Sequence, residues 1–164
     1  MIYPKLKMAL IGLMVVATTQ FAAAASVNGK QFSDWQGRCE KTQGQAEVCY
    51  LLQTLAQKDK PPVMITAIGY RSDQVDPVVI FTVSSALDAT KDVQFKVDKN
   101  QPIGLNAQCD DKQCRIGFPL DKRMMSEFKR GNEGVLAFIL KDSGEPAYFS
   151  ISLRGFTKGI GALK

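Results

Sequence analysis

The sequence contains no histidine. That absence removes Ser-His-Asp and Cys-His nucleophiles, and it removes zinc and haem centres that take an imidazole ligand. An enzyme would be left with carboxylate, Lys, Tyr or metal–oxygen chemistry, which moves the reading towards a binding or structural protein. A basic stripe is missing too. The richest stretch, Ala107 to Glu133, holds six Lys or Arg against five acids, so a nucleic-acid partner is not indicated. Zinc-type C-x2-C pairs, an EF-hand loop, internal repeats and linkers are likewise missing. What is present is ordinary for one globular domain: 164 residues, 45% hydrophobic and 23% charged,.

The first 25 residues have the order of a secretory signal. Lys5 and Lys7 precede an apolar run from Met8 to Ala17, and Ala22 to Ala25 supply small residues for a cut before Ser26,. Ten apolar residues are short for a span of about 20; the competing reading is an uncleaved anchor over the uncharged Met8 to Ala25. Removing residues 1–25 leaves 139 residues and lowers the formal charge from +5 to +3. The mature chain, residues 26–164, reads as a single exported domain with no transmembrane segment.

Export makes disulfides the expected state of the four Cys. Four Cys allow three connectivities. Nine residues, including Gly44, separate Cys39 from Cys49, and the polar Asp110 to Gln113 separates Cys109 from Cys114. Both spacings suit one turn, which predicts the local pairs Cys39–Cys49 and Cys109–Cys114. A metal or redox role is the competing use of these four residues.

Branched and aromatic runs predict about nine strands: Trp35 to Glu40, Val48 to Leu55, Val63 to Tyr70, Val78 to Val83, Val93 to Val97, Ile103 to Ala107, Cys114 to Phe118, Val135 to Leu140 and Tyr148 to Leu153,. The six consecutive apolar residues of Val135 to Leu140 suggest a strand covered on both faces. Asp121 can cap one short helix over Lys122 to Arg130, near 121–131. The glycine-rich Gly155 to Lys164 reads as a packed or frayed tail. The fold class is all-β: an antiparallel β-sandwich or barrel-like domain.

Candidate sites are few. Trp35 and Arg38 are tentative binding residues. Trp35 is the only Trp, and either stacks a ligand ring or packs beside the first disulfide; Arg38 could pair with Asp34 or Glu40. Carboxylates able to flank a glycosidic bond are Asp34, Glu40, Asp98, Asp110, Asp111 and Asp121; the same acids could hold a hard cation. Met124, Met125 and Phe128 either present a sticky helix face or close the end of the sandwich. Catalytic, cofactor and metal residues are assigned to none.

The segments Phe32-Ser33-Asp34-Trp35-Gln36-Gly37-Arg38-Cys39, Cys49-Tyr50-Leu51-Leu52-Gln53, Ala67-Ile68-Gly69-Tyr70, Gly117-Phe118-Pro119-Leu120-Asp121 after Cys109 and Cys114, and Ser152-Leu153-Arg154-Gly155-Phe156 occur in an order that resembles the invasion-associated locus B family. The likeness runs over about residues 32–163. It implies an exported, disulfide-bonded β-sandwich of the bacterial envelope, periplasmic or secreted, in a family named for members linked to host-cell invasion. It implies no enzymatic activity and no catalytic residues. The long Pro- or Lys-rich extensions of some members are missing here. The expected function is a non-catalytic envelope protein with an unknown protein, envelope or host-surface partner. The alternatives are a carboxylate glycan hydrolase, and a small-ligand or chaperone-like carrier using the space between its sheets.

Overall fold

The computed structural model describes residues 26–41, 46–71, 74–84 and 86–164. Residues 1–25, with the signal-like pattern, and Gly44 lie outside the described residues. Among the described residues eleven strands form two antiparallel sheets. They are β1 Gln31–Phe32, β2 Trp35–Glu40, β3 Val48–Ala56, β4 Pro62–Gly69, β5 Val78–Ser84, β6 Val93–Val97, β7 Ile103–Leu105, β8 Ala107–Cys109, β9 Gln113–Pro119, β10 Glu133–Ile139 and β11 Pro146–Ser152. The larger sheet runs β1-β2-β3-β4-β5-β9-β8 and the smaller β11-β10-β6-β7. This is an open sandwich and not a closed barrel.

Side-chain alternation explains the layering, because successive residues of a strand point to opposite faces. In β6, Val93, Phe95 and Val97 are buried while Gln94 and Lys96 are exposed. The inner face of β5 contributes Phe81 and that of β9 contributes Phe118. Their rings lie 5.2 Å and 5.4 Å from Phe95 across the sandwich. Phe128 continues this line at 5.7 Å from Phe95, and Phe156 follows at 5.3 Å from Phe128. Aromatic rings at such spacings fill volume and attract edge to face. β10 is less symmetric than its apolar run suggests: Leu136 and Phe138 are buried, whereas Val135, Ala137 and Ile139 are only partly covered.

Two departures from the sequence reading have physical causes. The expected strand Ile103 to Ala107 is divided at Asn106, because the chain changes sheets there. β7 pairs with β6 in the smaller sheet, and β8 pairs with β9 in the larger. The glycine-rich tail is a second helix, α2 Phe156–Ala162. Gly155 starts it at φ +86°, and a Cβ there would sit 1.9 Å from the Phe32 carbonyl oxygen. Gly159 lets α2 approach β3, since its Cβ would meet Leu51 at 2.8 Å.

The first helix, α1 Lys122–Arg130, follows from local chemistry. The Asp121 carboxylate accepts the Met124 N–H at 2.7 Å, as an N-cap should,. Lys129 and Arg130 sit in the last turn, where cations suit the helix dipole,. Met124 and Phe128 are buried and Met125 is partly buried, so this face of the helix closes the sandwich.

Candidate binding groove

Both cysteine pairs are disulfides between directly opposed residues. Cys39–Cys49 links β2 to β3, with Cα atoms 4.0 Å apart; Cys109–Cys114 links β8 to β9, at 3.9 Å. Among the described residues one group of metal-ligand types comes together, Cys39, Glu47 and Cys49. Its two sulfurs are joined to each other, so neither is a thiolate ligand.

The structure gathers several of the resemblance's residues into one seam between the sheets. The Gln53 side chain from β3 behaves as a strand partner for β11: its amide donates to the Ser152 carbonyl at 3.0 Å, and its oxygen accepts the Ser152 N–H at 2.8 Å. The same amide reaches the Asp34 carbonyl at 3.2 Å. The Ser152 hydroxyl donates to the Asp34 carboxylate at 2.5 Å. These bonds fasten the edge of the small sheet to the large one. Trp35 sits beneath, fully buried, with its ring centre 6.2 Å from that of Phe156. No face of it is open for a ligand ring to stack on.

Of the other candidate acids only the neighbours Asp110 and Asp111 share a place, and all but Asp111 hold a local hydrogen bond. Glu40 accepts the Tyr50 hydroxyl at 2.5 Å. That bond, with burial, raises the Tyr50 phenol above its ordinary value. Asp98 accepts the backbone N–H groups of Asn132 and Glu133. Asp110 closes the β8–β9 turn by accepting the Lys112 and Gln113 N–H groups, both at 2.9 Å. These backbone donors lower its pKa. Asp111 is exposed in the same turn, and Asp121 caps α1. The structure therefore does not bring two separate candidate carboxylates to the two sides of a cleft. Arg38 is exposed on β2 opposite Tyr50 and makes no ion pair with Asp34 or Glu40, whose carboxylates are turned to Ser152 and Tyr50. The space between the sheets, where a carrier would hold its ligand, is filled along the line of Phe81, Phe95, Phe118 and Phe128.

A concavity lies on the outer face of the larger sheet. It has a volume of about 750 Å³, and its walls include Arg71, Val78, Ile80, Leu105, Arg115 and Gly117. Leu52, Ala67, Ile80 and Gly117 are cross-strand neighbours in one row over β3, β4, β5 and β9. A Cβ on Gly117 would touch the Val79 carbonyl oxygen at an ordinary 3.4 Å, so free space stands above that backbone. The groove runs into an apolar area holding Val48, Tyr50, Leu52 and Ile65. Val48, Ile65 and Ile80 are 47%, 36% and 38% exposed, and contiguous exposure of this kind marks interaction surfaces. Among the described residues that line it, Asp76 is the acid and Arg71 and Arg115 are the cations. The sequence reading missed this surface. Its signal was the run Val78 to Val83, apolar at positions that face outwards as well as inwards.

Comparison with known proteins agrees with this architecture. The family model described as "Invasion associated locus B (IalB) protein" matches residues 35–164. No curated protein matches significantly. Among solved structures, the crystal structure of invasion associated protein B from Bartonella henselae is similar, with a TM-score of 0.70 and 21% identity over 82% of this chain and 92% of that one. At that identity the likeness establishes the shared fold.

Proposed function

The chain belongs to the invasion associated locus B family, and from that premise we propose that it is an exported, non-catalytic protein of the bacterial envelope, periplasmic or secreted, that acts by binding. Export through residues 1–25, with cleavage before Ser26, is part of the proposal, as is a role in contact with a host cell. Two disulfides fit an oxidising compartment,. The observation that carries the binding role is the groove on the outer sheet face. It joins exposed Ile80 to Arg71 and Arg115, and among the described residues that line it there is no Ser, Thr, Cys, Lys or Tyr. Its occupant is a polypeptide that sets apolar side chains on Val78 and Ile80 and offers an acid to Arg115. Arg38, near the other end of the apolar area, adds a third cation.

Incorporating a photo-crosslinking residue at Ile80 in cells that export the protein tests this reading. The expected result is an adduct with a discrete protein, absent when the probe stands at Lys96 on the smaller sheet. Equal labelling from both positions, or none from either, would overturn it. N-terminal sequencing of the exported chain should begin at Ser26.

A further inference from the structure

Folding creates a charge asymmetry that a linear count hides. Residues 121–131 and 154–164 carry seven Lys and Arg against two acids, a side-chain charge of +5, whereas the rest of residues 26–164 carries −2. The two helices bring these distant stretches into one layer. The Phe128 and Phe156 rings are 5.3 Å apart, and the Thr157 hydroxyl donates to the Lys129 carbonyl at 3.2 Å. Lys122 and Lys129 are seven residues apart on α1, two helical turns, and so share a face,.

A second depression, of about 300 Å³, opens beside this layer. Lys122, Lys129 and Lys164 line it over Met125 and Ile160, with Asp76 as its acid and Val75 on its rim. Among the described residues neither Lys122 nor Lys129 has an ion-pair partner; the ion pair on this helix is Arg123 with Glu127, at 3.4 Å. The Lys164 amine stands 5.7 Å from the Tyr70 ring centre. Val75 is 93% exposed, the most exposed large apolar residue among the described residues.

We infer that this helix layer docks on an anionic phospholipid bilayer, with Lys122, Lys129 and Lys164 at headgroup phosphates and Val75 entering the interface. Charge complementarity selects the partner. A molecule that is +5 on one layer and −2 elsewhere turns that layer towards a negative surface. Lys suits this role because its stem lies along apolar material while the amine reaches the phosphate. An exposed aliphatic residue beside the cations is what separates a bilayer from a dissolved anion, since only the bilayer offers an apolar layer next to its phosphates. The depression adjoins the groove on the sheet face, sharing Val75 and Asp76 with it, but the three lysines lie outside the groove and Ile80, Arg115 and Gly117 lie outside the depression, so substitutions at those positions test the two readings separately.

Sedimentation with vesicles gives the test. Purified exported protein should bind vesicles of equal parts phosphatidylglycerol and phosphatidylcholine, and not phosphatidylcholine alone; the variants below separate the helix layer from any contribution of Lys5 and Lys7. The triple variant Lys122→Gln, Lys129→Gln, Lys164→Gln should lose about tenfold or more in affinity, while the same three positions changed to Arg keep it. In a separate Val75→Trp variant, emission should shift to the blue on anionic vesicles, against the already buried Trp35. Binding to both vesicle types alike, or an undiminished triple variant with its thermal melt intact, would overturn the proposal. So would full displacement by inorganic phosphate at the lipid-phosphate concentration, which would make the depression a small-anion site.

Discussion

Two buried polar atoms have no hydrogen-bond partner among the described residues, the Trp35 indole nitrogen and the Thr66 hydroxyl. Leaving such a group unpaired costs about 1–3 kcal/mol. Thr66→Val removes the hydroxyl and keeps the branched shape on the inner face of β4. It should therefore stabilise the protein by about 1 kcal/mol, read as a raised denaturant midpoint; a lowered midpoint would mean the hydroxyl is paired. Tyr50 gives a pH-dependent counterpart. Its phenol is held above the ordinary value first by the Glu40 hydrogen bond and then by burial. A raised folded-state pKa favours the fold below the unfolded value of about 10, and the contribution is lost as pH rises through the folded value. Glu40→Gln should move the Tyr50 ionisation to lower pH in a tyrosinate absorbance titration. An unmoved titration would refute the role given to Glu40.

At the scale of elements, glycine chemistry decides what propensity could not. Gly155 to Lys164 reads as a tail because glycines weaken helices by about 1 kcal/mol each. Tertiary contact reverses that judgement: Phe156 and Ile160 are buried, and Gly159 admits Leu51. Gly155→Ala combines a positive φ with a Cβ against the Phe32 carbonyl. It should destabilise the protein by about 2 kcal/mol or more, seen in equilibrium unfolding. A loss below about 0.5 kcal/mol would mean that the β1–α2 junction relaxes freely. Elsewhere local pattern was sufficient. The Asp121 cap, α1 and the alternation in β6 are written in adjacent residues, and each disulfide joins residues directly paired across two strands that follow one another in the chain. The division of Ile103 to Ala107 was not legible, because the change of sheet at Asn106 depends on which distant strands, β6 and β9, lie alongside. The seam of Asp34, Gln53 and Ser152 was legible only as an ordered likeness. Its geometry joins positions up to 118 apart in the chain, and no local rule encodes that.

For the whole molecule, the same separation explains why histidine-dependent chemistry was easier to rule out than a binding surface was to find. A missing residue type is visible in any count, whereas a surface exists only after strands and helices assemble. The acids that kept a hydrolase reading open went to a seam, a strand pair, a helix cap and two turns. Residues of β5 and β9, with Arg71, Asp76 and Leu105, made the groove, and the outward side chains of β3 and β4 made the apolar area beside it. The central claim is that this groove is where the protein works. Gly117→Trp fills it from a backbone position with space above it, and leaves the seam and the core untouched. With the crosslinking probe at Ile80, the variant should keep the wild-type melting temperature and lose the adduct by about tenfold or more, a change of roughly 1.4 kcal/mol in binding. An adduct of undiminished yield in a folded Gly117→Trp protein would contradict the account.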